Sequence, residues 1–253
     1  MNSRTVLLAL SALGICTTAQ AEIYDVVLSS YGAGKRQLVA ATGQLQWNET
    51  TGDETFYNVR ATEHEWINLG EGPSMYYTHC VEIYQSVVAD EQYLFEGTAI
   101  ENVPQGNGWP GEMGATRALL VQDLYANYVD PLTGKVEADP GAGFDINDYA
   151  AAFQIMLWEL THENFAEGAS ASEMATQISF ETGAIQSEAD DSVDTILDEM
   201  FETLNDGLFE LANLEGWTNP DAQDQSRLVI PGAGTLFGLG LLTPLTRRRR
   251  RNA

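Results

Sequence analysis

Cysteine is almost absent from this chain, with two residues in 253, Cys16 and Cys80. Basic side chains are scarce as well: 12 lysines and arginines stand against 37 acids, and there are three histidines. Residues 1 to 21 read as a secretory signal peptide, with Arg4 at the positive start, Val6 to Ile15 as the short apolar region and Ala19-Gln20-Ala21 as the small-residue cleavage site. Cys16 as a lipid-anchor cysteine is the alternative, and the bulky Ile15 before it speaks against that. Once the signal is removed only Cys80 remains, which excludes a disulfide within the mature chain. A leftover thiol in an oxidising compartment then needs a reason.

The other shortages exclude further classes. All 37 acids lie in residues 22 to 226, against only Lys35, Arg36, Arg60, Arg117 and Lys135. Such a surface repels nucleic acid and anionic lipid. No Asp-x-Asp-x-Asp-Gly loop is present for calcium, no other metal motif appears, and no cofactor is expected. There is no internal repeat and no nucleophile elbow, which leaves a cysteine hydrolase built on Cys80 without support. Asp190-Asp191 and the acids of 194 to 206 are read as a solvated helix face.

No apolar run is long enough for a conventional membrane span. Ala233 to Leu245 offers about 13 apolar positions, a helix of roughly 20 Å against a hydrocarbon core of ~30 Å. It follows a breaker, Ile230-Pro231-Gly232, and precedes five arginines, Arg247 to Arg251, that would stay on the cytoplasmic side. The order of parts resembles the PEP-CTERM class of sorting tails, with Val229-Ile230-Pro231-Gly232 at the place of the motif and no Pro-Glu-Pro. That resemblance implies a membrane sorting transpeptidase of the exosortase kind as a partner. A plain C-terminal tail anchor is the alternative.

Between signal and tail, residues 22 to 226 have the length of one domain with a real core. Alternation predicts strands at 24–28, 37–47, 55–61, 76–84 and 92–100. The period then changes to that of helices at 114–129, 148–163 and 194–208, the last with Leu197, Phe201, Leu204 and Leu208 inward. Further strands are expected at 177–185, 209–214 and 225–230. Strands, inserted helices and strands again imply an α+β domain: a β-sandwich or barrel-like sheet carrying a helical subdomain.

Three segments carry the chemistry. Cys80 lies in Tyr76-Tyr77-Thr78-His79-Cys80-Val81-Glu82, Gln122 in Val121-Gln122-Asp123-Leu124-Tyr125-Ala126, and Gln154 in Gln154-Ile155-Met156-Leu157-Trp158. A cysteine sulfur and a glutamine carboxamide can condense, with loss of ammonia, into an internal thioester. The reaction needs the fold to hold the thiol against the carbonyl and to shield the product from water. Trp158, Tyr76, Tyr77 and Tyr125 suit the shielding. Gln122 is a candidate for polarising the carbonyl or for the bonding partner itself, ranked below Gln154. His79, next to Cys80 in a strand, should face the opposite way. His162 is too far along its helix to touch Gln154, and His64 is read as a loop or surface residue.

In these segments, over about residues 75 to 165, the chain resembles the thioester domain of bacterial surface adhesins. The resemblance implies that the bond joins Cys80 to Gln154, in a pocket of Trp158, Gln122, Tyr125 and Tyr77. Two positions depart from the pattern: His79 stands where an aromatic or Leu precedes the cysteine, and Phe153 where Thr precedes the glutamine. Gln223-Asp224-Gln225 also looks like the closing strand of similar exported proteins. The expectation is therefore a non-enzymatic protein of the cell envelope, cell surface or extracellular matrix, transiently anchored by its tail. It would attach covalently to an amine or hydroxyl of a surface or matrix ligand. An unreactive envelope or matrix component with the same fold is the alternative.

Overall fold

The computed structural model describes residues 22–41, 56–70, 74–105 and 111–230. The predicted signal, the apolar stretch and arginine block of the tail, and Pro231 and Gly232 of the sorting motif lie outside the described residues. Among the described residues seven strands and four α-helices follow in order: β1 Ile23–Ala41, β2 Tyr57–Asn68, β3 Met75–Cys80, β4 Gln92–Ala99, α1 Gly114–Tyr128, α2 Ile146–His162, α3 Ala171–Ala175, β5 Ile185–Glu188, α4 Asp191–Leu204, β6 Leu214–Thr218 and β7 Gln225–Leu228. The fold is α+β, and all seven strands form one antiparallel sheet.

The sheet closes on itself. β1 pairs with β2, β2 with β3, β3 with β7, β7 with β6, β6 with β4, and β4 with β1 again. This ring is possible because β1, 19 residues long, is bent by two register shifts, one between Leu28 and Ser30 and one between Tyr31 and Gly34. Its first half pairs with β4 and β2 to complete the ring, and its second half stays on β2 while its other edge takes β5. Gly34 sits at the bend with φ +137°, where a Cβ would meet the Ala61 carbonyl at 2.2 Å, so only glycine fits there. The strands expected at 24–28 and 37–47 are thus joined in one bent strand as far as Ala41.

Side chains alternate between the inside of the ring and its outer face. Tyr24, Val26, Leu28, Trp66, Phe95 and Trp217 form a small aromatic core inside. Tyr24 stacks on Trp217 with centroids 4.5 Å apart, and Phe95 stacks on Trp217 at 5.6 Å. The larger core lies outside the ring, where α2 packs against β1, β2, α1 and α4. From Asp148 to His162 every residue of α2 is buried, the polar Gln154, Glu159, Thr161 and His162 among them. Its start is fixed by a capping box in which Asp145 accepts from the Asp148 N–H and Asp148 accepts from the Asp145 N–H.

The helical readings at 114–129 and 148–163 correspond to α1 and α2. Three other expectations are corrected. Residues 177–184 form turns rather than a strand, because the Ser179 hydroxyl accepts from the Thr182 N–H and offers the chain a local alternative to a ladder. Strand β6 begins at Leu214, where the expected strand at 209–214 ends. Helix α4 stops at Leu204, so Leu208 is exposed; Asp191, Asp194, Asp198, Glu199 and Glu202 face solvent on its outer side. Strand β7 runs across the boundary expected at 226, and the Val229 N–H still bonds to the Asn213 carbonyl at 2.8 Å.

Candidate functional site

Cys80 is the last residue of β3, two residues beyond the last pair with β2, His64 with Thr78. Past that point β2 no longer satisfies the β3 backbone. The Gln154 carboxamide on α2 takes over: the Cys80 N–H donates to Gln154 Oε1 at 3.1 Å, and Gln154 Nε2 donates to the Cys80 carbonyl at 2.7 Å. Gln154 is fully buried, so this two-way bond satisfies both ends of the carboxamide as well as the strand end.

Register decides what surrounds the sulfur. Cys80 pairs with Gln225, His64 pairs with Thr78, and Trp66 lies two residues from His64, so all five face the inside of the ring. Trp66 Nε1 donates to Thr78 Oγ1 at 2.8 Å, and the Thr78 hydroxyl donates to Gln225 Oε1 at 2.8 Å. Gln225 Nε2 donates to the Gln223 carbonyl at 2.9 Å, which fixes which end of that amide is oxygen. His64 Nδ1, 3.0 Å from the same oxygen, must therefore carry its proton. Both His64 nitrogens lie 3.6 Å from Cys80 Sγ.

The carboxamide oxygen that the thiol meets belongs to Gln223. Cys80 Sγ donates to Gln223 Oε1 at 2.9 Å, while Gln223 Nε2 donates to the Glu82 carbonyl. The turn carrying Gln223 is pinned by Asp224, whose N–H donates to Glu82 Oε1 at 2.8 Å and whose carboxylate accepts from the Gln105 and Asn219 N–H groups. Gln223 is at the fringe of the buried cluster, 7% exposed against 2% for Cys80.

Burial sets the electrostatics. It pushes the Cys80 thiol far up, so the sulfur stays protonated at rest, and pushes the His64 imidazole down to about 4, so the ring is neutral. The Glu82 carboxyl is raised to about 7 by burial, with Tyr84 and the Asp224 N–H working against that rise. The site thus holds a neutral thiol, a neutral base and a neutral amide in contact, sealed from water.

The outer face of the same strands carries a second polar set. His79 Nδ1 meets the Tyr125 hydroxyl at 2.9 Å, which in turn contacts Ser226 Oγ at 2.7 Å, and His79 Nε2 lies 3.8 Å from Glu63. Burial would raise Glu63, yet the His79 bond and charge, with backbone N–H groups, hold its carboxyl below the ordinary range.

Of the residues singled out in the sequence, the structure brings Gln154 to the Cys80 backbone. Tyr125 lies on the opposite face from the thiol, buried between His79 and Phe153. Trp158 is buried one turn beyond Gln154. Tyr77 lies under Lys135, with Nζ 4.2 Å from its ring centroid, beside a cavity of about 120 Å³ that Ile230 also lines. Gln122 is half-buried on α1 and joins none of the hydrogen bonds around Cys80, its carbonyl accepting from the Ala212 N–H at 3.3 Å. His64 is no surface residue but lies inside the ring, 3% exposed. Sequence reasoning missed His64, Gln223 and Gln225 as neighbours of the thiol; the Gln-Asp-Gln run before the tail was the available signal for two of them.

Among the described residues no cluster of ligating side chains could hold a metal ion, and no helix is long and apolar enough to cross a membrane. Compared with known proteins, the chain matches no family model, no curated protein and no solved structure.

Proposed function

We propose that this is an exported surface protein that stores an internal thioester between Cys80 and Gln223 and uses it once, to attach covalently to an amine or hydroxyl of a surface or matrix ligand. The 2.9 Å approach of Cys80 Sγ to Gln223 Oε1 carries this reading. Gln154, the partner implied by the adhesin resemblance, is read as a clamp, since its carboxamide bonds the Cys80 backbone whereas that of Gln223 meets the sulfur. In forming the bond, the sulfur attacks Gln223 Cδ, a C–S bond forms, the C–N bond breaks, and ammonia leaves. In capture, the acceptor attacks the same carbon and Cys80 departs as the thiol. Nothing turns over, so the protein is not an enzyme in the usual sense. The predicted signal and sorting tail supply export and transient anchoring.

The competing reading is an unreactive structural domain, and the complete burial of the thiol favours it. Intact mass of the full exported chain, isolated without added amines, separates the two. A mass low by one ammonia, absent in Cys80→Ala and Gln223→Ala and converted to an adduct by methylamine, is the expected result. If Gln154→Ala abolishes the loss in a folded protein while Gln223→Ala keeps it, the acyl partner is Gln154. A wild-type mass equal to that of the processed sequence, with Cys80 alkylated once the chain is unfolded, leaves the structural domain.

A further inference from the structure

We propose that His64 is the proton carrier of this site: its Nε2 takes the Cys80 thiol proton as the sulfur attacks Gln223 and delivers it to the departing ammonia. The inference rests on the thioester reading of the same cluster and adds a residue to it. Three observations carry it. Both ring nitrogens are 3.6 Å from Sγ, and the ring is buried on the same inward face. Its Nδ1–H is committed to Gln225 Oε1, an acceptor held in place by Thr78 and through it by Trp66, so the lone pair is on Nε2. Among the described residues no carboxylate bonds to His64, so none of them holds the ring in its charged, lone-pair-free state.

A base is needed here. The buried thiol does not ionise on its own, and a neutral thiol is a poor nucleophile towards an amide. Removing its proton as the C–S bond forms avoids creating an isolated thiolate in a dry site. The balance is complete within the cluster: the S–H proton moves to His64 Nε2, and Gln223 Cδ becomes tetrahedral. His64 then gives the proton to Gln223 Nε2, which leaves as ammonia, and the imidazole is neutral again. Capture runs the same path with an amine or hydroxyl in place of ammonia, its proton passing through His64 to the sulfur. The fixed tautomer resembles the logic of hydrolytic triads, in which a third group orients the base, with Gln225 in the orienting role and no charge of its own.

The test uses the full chain and the reversal of its own chemistry. Ammonia in excess reopens a thioester to the thiol and carboxamide. After its removal, reclosure is followed by intact mass for wild type and for His64→Asn, whose side-chain amide can keep the bond to Gln225 while lacking the Nε2 lone pair. Reclosure in a folded His64→Asn protein should be slower by roughly 100-fold or more, the usual reach of a positioned base. Wild-type reclosure should also fall with acid below about pH 4, where His64 takes up a proton, by about tenfold per pH unit. Arg60 and His79 act on the ring from β2 and β3, Tyr31 packs on it from β1, and Glu82 and Asp224 flank Gln223. The acid limb must therefore vanish in His64→Asn to be assigned to the ring. Should His64→Asn misfold, a wild-type rate that does not change between pH 6 and pH 3 overturns the proposal by itself, and a fall there supports it only when it vanishes in a folded His64→Gln protein. A folded His64→Asn that recloses as fast as wild type overturns it while leaving the thioester standing. A wild type that never loses ammonia removes the thioester and His64's role together.

Discussion

The two faces of the β2–β3–β7 ladder hold nearly the same chemistry and put it to different uses. Each carries one buried histidine, one hydroxyl in the hydrogen-bond network around it and one residue of β7. Outside, His79 has Tyr125, Ser226 and the Glu63 carboxylate, a set in which charge can be matched by charge. Inside, His64 has Thr78, Gln225 and the thiol, all neutral. A histidine beside a carboxylate and two hydroxyls serves to hold a shape; one facing an amide and a thiol is left with a usable lone pair. The difference comes from a single step of strand alternation, because Glu63, His64, His79 and Cys80 occupy neighbouring positions on paired strands.

Three substitutions would break or sharpen that contrast. The largest effect is expected from Gln154→Ala, which touches neither face but removes the clamp between them. It strands a buried N–H and a buried carbonyl of Cys80, at about 1–3 kcal/mol for each group, so urea unfolding should show a loss of roughly 2–6 kcal/mol. A loss below 1 kcal/mol would mean that water or another strand replaces the clamp. Next is Glu82→Gln, on the inner side. The Glu82 carboxyl is raised from its ordinary 4.5 to about 7, so its stabilising protonated form is fully present below pH 4.5 and is lost as pH rises towards and through 7. Wild type should lose on the order of 2 kcal/mol more than Glu82→Gln between pH 5 and pH 8, read from paired melts. His64, lowered to about 4, acts in the opposite sense, losing stability as pH falls from 6.5 towards 4; the comparison at fixed pH cancels it. The smallest effect is expected from Tyr125→Phe on the outer face. It removes the hydroxyl shared by His79 and Ser226 and should cost about 1 kcal/mol, with no change in ammonia loss. A change in reactivity there would show that the faces are coupled.

Much of the framework was legible. Alternation located most strands, and the four-residue period located α1 and α2, because those elements bury one kind of surface and expose or bury the other throughout. The site was half legible. Cys80 and Gln154 were singled out, but how they meet was not, since nothing in a helical glutamine announces that its carboxamide will stand in for a missing strand. His64 was hidden by its surroundings: Thr62-Glu63-His64-Glu65 reads as a solvated run because polar residues there serve pockets on both faces, which erases the alternation that marks a half-buried strand. The turns at 177–184 were misread for the reverse reason, strand-forming residues being overruled by the Ser179 hydroxyl, which accepts from both the N–H and the hydroxyl of Thr182.

The order of strands in the ring also sets a clock. Cys80 and Gln223 are 143 positions apart, and they become neighbours only when β7 slots between β3 and β6 as the last strand. A chain that leaves the membrane N-terminus first delivers its thiol long before its carboxamide, with all four helices in between. On the proposed reading, the warhead stays unarmed throughout export and is assembled only on a molecule that has finished folding. Truncated or stalled copies would keep a plain thiol and attach to nothing.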